Sequence, residues 1–163
     1  MNRDRVDQIQ QEWARERPDV DVGPQGVIGR LHRLATFLTD EVVAVYREHG
    51  LGEGEFDVLA TLRRAGEPFE RAPGELADHT MVTSGAMTKR LDRLAAAGLV
   101  SRRRSADDGR VRIVALTPAG RDLIDRAFDD HMANEHRLIA ALPKADRREL
   151  EEILRRWLRA FEA

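Results

Sequence analysis

Apolar residues recur along the chain at two different periods, and each change of period marks out an element. Residues 3–17 carry Val6, Ile9 and Trp13 at helical spacing among charges, a sparse stripe that Pro18 stops. From Pro24 a longer run follows, with Val27, Ile28, Leu31, Leu34, Ala35, Leu38, Val42, Val45 and Tyr46 on one helical face. Gly50, which tolerates positive φ, closes it. A third helix carries Phe56, Val58, Leu59 and Leu62 and ends at Ala65 and Gly66. Residues 67–73, with two prolines, read as a loop. Two short helices come next: residues 73–78, then one that Thr83 or Ser84 can cap, running through Met87, Leu91, Leu94 and Ala95 to a stop at Gly98.

At residue 99 the period shortens. Residues 99–105 and 111–116 read as two strands, and the polar Ala106-Asp107-Asp108-Gly109 between them is hairpin-turn chemistry. Thr117 and Pro118 then open another long helix, with Leu123, Ile124, Ala127, Phe128, Met132, His136, Leu138 and Ile139 inward. Pro143 breaks it. A last helix over 145–161 shows Leu150, Ile153, Leu154, Trp157, Leu158 and Phe161 in one stripe. The fold class expected is mainly α (α+β): a winged helix-turn-helix between long N- and C-terminal dimerisation helices. We read 1–163 as a single domain, with 54–116 as the winged lobe and 1–50 and 117–163 as dimerisation helices.

Charge sharpens this picture. The 163 residues carry a net charge of −2, which looks wrong for a nucleic-acid binder until it is divided along the chain. Residues 83–112 hold eight basic residues against three acids, +5, leaving −7 elsewhere. One basic segment on an acidic body is what a local phosphate-contacting surface looks like, although a solvated helix and loop would give the same count. A helix that enters the major groove needs small and hydrogen-bonding side chains outward. Thr83, Ser84, Thr88, Lys89 and Arg93 supply that face. Arg110 falls at or near the hairpin tip, with Arg112 and the 102–104 arginines behind it, placed for an arginine to enter the minor groove.

Other chemistries find less support. The chain has no cysteine, which removes disulfides, thiolate metal sites and thiol catalysis. His32, His49, His79, His131 and His136 form no metal constellation; the last two are five apart, where a shared metal prefers three or four. The glycines at 50, 52 and 54 lack the preceding strand that dinucleotide binding requires. We therefore read no enzyme, no cofactor and no metal. Neither a transmembrane run nor an export signal is present, so a cytoplasmic protein without a membrane partner is expected.

Residues 91–120, "LDRLAAAGLVSRRRSADDGRVRIVALTPAG", resemble the signature of the MarR family: a helix ending in Gly-Leu-Val-x-Arg, an Asp-x-Arg wing tip, then Leu-Thr-x-x-Gly. Here the wing tip is Asp108-Gly109-Arg110, and the resemblance implies that Asp108 holds Arg110 by an ion pair. It also implies a homodimer whose terminal helices interlock and whose two winged units read a pseudo-palindrome in double-stranded DNA. An added first helix with a tryptophan resembles the urate-responsive subgroup. That likeness implies a small anionic effector, such as urate or a carboxylate metabolite, held by Trp13, Asp57 and Arg90, with Arg30 and Arg102 as further candidates. An arginine suits a carboxylate and an indole suits a flat ring. A plainer role exists for each: Trp13 as a packing residue, Asp57 as a partner of Arg90. The expected function is a ligand-released repressor. The alternative is a helical protein-interaction module of the same fold that does not bind DNA.

Overall fold

The computed structural model describes residues 3–80, 84–104 and 112–162. Its elements are, in order, α1 (Arg5–Glu16), α2 (Gln25–Glu48), α3 (Glu53–Arg64), β1 (Glu70–Arg71), α4 (Pro73–His79), α5 (Ser84–Ala96), β2 (Val100–Arg104), β3 (Arg112–Leu116), α6 (Pro118–Ile139) and α7 (Lys144–Leu158). The chain divides into two compact units, Met1–Glu41 and Val42–Ala163.

In the first unit, α1 starts where Asp4 can cap it. The Asp4 carboxylate accepts from the backbone N–H of Val6 at 2.8 Å and of Asp7 at 3.0 Å, and Asp7 returns the favour to the Asp4 N–H at 2.9 Å. This reciprocal box satisfies donors that a helix start otherwise leaves open. Arg30 of α2 grips both acids, at 2.7 Å from each. Its guanidinium holds the Asp4 carboxyl below the ordinary aspartate range. These pairs are solvent-exposed and act more on geometry than on stability. Between the helices Val6 is buried, and Gly29 lets it close in: a Cβ there would stand 3.4 Å from Val6 Cγ1.

The second unit holds the main core. Val58, Leu59 and Leu62 of α3 meet Leu76 of α4, Leu94 of α5, Val114 of β3 and Ile124 of α6, all fully buried. At the start of this unit the Tyr46 ring stacks on Phe56 with centroids 3.9 Å apart, fixing the last turns of α2 to α3. Burial pushes the Tyr46 hydroxyl up to about 12, so it stays neutral.

A three-stranded antiparallel sheet closes one side, in the order β1-β3-β2. β2 and β3 pair from Val100↔Leu116 to Arg104↔Arg112. β1 pairs only through Glu70↔Ala115 and Arg71↔Val114, within the stretch expected to be a loop. Two residues are too few to show a period, and their strand character comes wholly from pairing to β3. Just before it, Phe69 adopts φ +58°, a strained value for a bulky residue. The guanidinium groups of Arg63 and Arg121 lie over its ring, 5.1 and 4.7 Å from its centre, and these contacts favour that placement.

The wing is anchored to α6 at one tight junction. The Thr117 hydroxyl donates to Gly98 O at 2.7 Å and accepts from Gly120 N at 3.0 Å, while Thr117 N donates to Leu99 O at 3.1 Å. A Cβ on Gly120 would fall 1.9 Å from Leu99 O, a backbone atom that cannot swing aside. Gly120→Ala should therefore destabilise the protein by about 1–3 kcal/mol through overpacking. Urea denaturation at fixed protein concentration should show a lower midpoint with an unchanged slope; a midpoint equal to the parent's would show that α6 moves away freely.

Candidate nucleic-acid interface

The surface is built on α5. Its Met87, Leu91 and Leu94 are buried, so spacing alone turns Thr88, Lys89, Asp92 and Arg93 outward, and all four are exposed. The helix ends in a Schellman turn: Leu99 N donates to Leu94 O at 2.9 Å and Gly98 N to Ala95 O at 3.0 Å, with Gly98 at φ +70°. That turn sends the chain directly into β2, so the small-residue helix and the basic hairpin are rigidly joined. Ser84 opens α5, though its side chain lies outside the described residues. Thr83, Asp108 and Arg110 are also outside them, so the proposed ion pair at the wing tip is not described.

The wing arginines separate into two groups. Arg102 reaches Asp92 on α5 at 2.7 Å, and Arg103 donates to both oxygens of Glu70 on β1 at 2.7 and 2.8 Å. These two pairs brace the hairpin, one to the helix and one to the short edge strand. Arg104 and Arg112 are different. They are both exposed and occupy directly opposed positions of β2 and β3. Side chains so placed have Cβ atoms about 4.5–5.5 Å apart, and like charges there oppose folding. Neither has an acidic partner among the described residues, so an anionic partner would relieve the opposition.

Two further arginines on α5 face α3. Arg90 lies over Gly54, where a Cβ would come 2.1 Å from its Nε, and its buried Nη1 has no hydrogen-bond partner among the described residues. Arg93 Nε stands 3.0 Å from Glu55 Oε1. Asp57 is on the same helix, α3, half-buried. Trp13 and Arg30 belong to the first unit, where Trp13 is 48% exposed and Arg30 is engaged by Asp4 and Asp7. Sequence reading missed Gly54, Glu55 and Glu70. Glu55 alone had a visible signal, an acid at the third position of a helix whose carboxylate reaches back to Gly52 N at 2.8 Å.

Comparison with known proteins agrees with this geometry. The family model described as MarR family matches residues 49–111. The HTH-type transcriptional regulator PecS of Dickeya dadantii is 36% identical over 151 residues, covering 93% of this chain and 91% of that one. This chain belongs to the MarR family. Among solved structures, AbsC, a MarR family transcriptional regulator from Streptomyces coelicolor, superposes with a TM-score of 0.77 at 22% identity, over 88% of this chain and 97% of AbsC. The Mycobacterium tuberculosis MarR family protein Rv2887, solved in complex with p-aminosalicylic acid, gives a TM-score of 0.63 at 31% identity, over 80% of this chain and 97% of that one. As a MarR-family member the protein is a DNA-binding transcriptional regulator of winged-helix fold. Its relatives are named as regulators and not as enzymes. Among the described residues no helix is long and apolar enough to cross a membrane, and no group of three or more acids or histidines could hold a metal ion.

The Arg104–Arg112 opposition has a measurable signature. Arg112→Ala should leave folding stability unchanged or raise it by about 0.2–1 kcal/mol, because it removes a like-charge pair. A loss of stability in chemical denaturation would mean that Arg112 has a structural role instead.

Proposed function

We propose that this MarR-family regulator is a cytoplasmic repressor that binds double-stranded operator DNA as a homodimer. In this reading α5 enters the major groove, with Thr88, Lys89 and Arg93 toward the base edges and Thr83 and Ser84 toward phosphate at its start. The wing lies along the neighbouring backbone, and Asp108 orients Arg110 at its tip. The observation that carries the reading is the pair of facing, exposed cations Arg104 and Arg112, set beside a helix whose outward face is small and polar. A protein-interaction module would use that repulsion only toward an acidic partner, whereas a duplex offers phosphates along its whole length.

Each unit also leaves an apolar helix face open. In the first, Leu34, Phe37 and Leu38 are exposed; in the second, Leu150, Ile153, Leu154 and Leu158 are, with Phe161 at 76%. Faces of this size are covered in stable proteins, and a second copy of the chain is the occupant the family implies. Fluorescence anisotropy on promoter duplexes tests the whole reading. Binding should weaken steeply with salt, and Arg104→Ala or Arg112→Ala should flatten the slope of log K against log salt by about 0.9 for each protomer. Salt-independent binding, or a single-chain species in sedimentation, would overturn it.

We further propose that a small anion releases the DNA. The buried Nη1 of Arg90, without a hydrogen-bond partner among the described residues, supports this, because a carboxylate or urate oxygen would supply an acceptor. Trp13 and Arg30 enter only through the likeness to the urate-responsive subgroup. The p-aminosalicylic acid in Rv2887 is an anion of the same kind, an aromatic carboxylate. In thermal-shift titrations with urate and p-aminosalicylate, at least one should raise the melting temperature of the parent, and Arg90→Gln should abolish that rise. An equal rise in both proteins would remove Arg90 from the site.

A further inference from the structure

Lys89 and Arg93 stand four residues apart on the outward stripe of α5, yet their surroundings differ. Lys89 is exposed with no acidic partner among the described residues. Arg93 is 73% exposed at its side chain, but its Nε edge lies 3.0 Å from Glu55 Oε1, and the Glu55 side chain is only 11% exposed. The second oxygen of Glu55 accepts from Gly52 N at 2.8 Å, at the first turn of α3. Glu55 is therefore an anion fixed by two things that do not depend on DNA: a backbone donor and the positive end of a helix. It has little freedom to follow Arg93 away. The interaction is one-sided, with a rooted acid and a mobile cation whose far end is in water.

We propose that Glu55 sets the specificity of the recognition helix by withholding Arg93 from phosphate. On any duplex, Lys89 adds general attraction. Arg93 adds little, because its charge is already matched and moving it would leave Glu55 uncompensated beside a polyanion. Only a contact good enough to exceed that ion pair, such as two directed hydrogen bonds to a base edge, recruits Arg93. The device raises the contrast between operator and random DNA by lowering the second. It rests on the placement of α5 against DNA proposed above.

The test compares operator and random-sequence duplexes across a salt series, using the full-length parent, E55Q, R93Q, the E55Q/R93Q double variant and K89Q. Glutamine at 55 keeps an acceptor for Gly52 N, so the start of α3 is preserved. On random duplex, E55Q should bind several-fold tighter, with a slope steeper by about 0.9 per protomer, as one more phosphate is neutralised. R93Q alone should leave that slope unchanged, because Arg93 was not contacting phosphate. In the E55Q background the same substitution should restore the parental slope. On operator, R93Q should weaken binding and E55Q should reduce the operator-to-random ratio.

A parental slope for E55Q on random DNA overturns the assignment. So does a slope for R93Q alone that flattens by about 0.9, and this arm stands even if E55Q fails to fold. K89Q separates the two levels of the reading. If K89Q flattens the slope and the Glu55 variants do not behave as stated, the role of Glu55 alone is wrong. If K89Q and R93Q are both without effect on either duplex, α5 does not face DNA and both readings fall.

Discussion

Burial of one stripe of α5 against α3 is the constraint on which the rest of the second unit depends. Met87, Leu91 and Leu94 can enter the core only if the helix lies at one rotation about its axis. That rotation turns Thr88, Lys89, Asp92 and Arg93 outward and brings Arg90 and Arg93 alongside the first turn of α3. The hydrophobic term selects the angle, and the polar contacts then exploit it. Gly54 gives the room that Arg90 occupies, and Glu55 supplies the charge that meets Arg93. A bulkier residue at 54 would have to displace a guanidinium, so packing and electrostatics at this joint are not independent.

The same economy governs the wing. Five-residue strands make a weak hairpin by themselves, and this one is held by the core contacts of Val100 and Val114, by Arg102 to Asp92 and by Arg103 to Glu70. Exposed pairs of this sort contribute little energy each, but two of them on different sides restrict how the hairpin can tilt. The junction at Thr117, Gly120 and Leu99 restricts it from below. At the last described pair of the hairpin Arg104 and Arg112 are set against each other.

Most of this architecture was legible in the chain. The outward and inward faces of α5 follow from a helical period interrupted by no proline, and the wing follows from two short runs around a turn. Strand β1 was not legible: Glu70 and Arg71 have neither β-propensity nor alternation, and only the register of β3 makes them a strand. The site was read in halves. Residues that project from one element, such as Lys89 or Arg112, could be found from spacing. Contacts between elements distant in sequence, such as Arg93 with Glu55 or Arg103 with Glu70, depend on a tertiary approach that no local pattern encodes. Trp13 belongs to an apolar stripe, yet the residue is nearly half exposed. A stripe shows which residues could be covered; it does not supply the cover.

The opposed arginines also bear on how the molecule behaves at the bench. Its overall charge of −2 would suggest poor retention on a cation exchanger. Arg104 and Arg112, at opposed positions of neighbouring strands, concentrate positive charge that should attract multivalent anions. Sulfated polysaccharide resins should hold the protein through that edge. Sulfate or phosphate in a crystallisation buffer should collect there as well, competing with any oligonucleotide added afterwards.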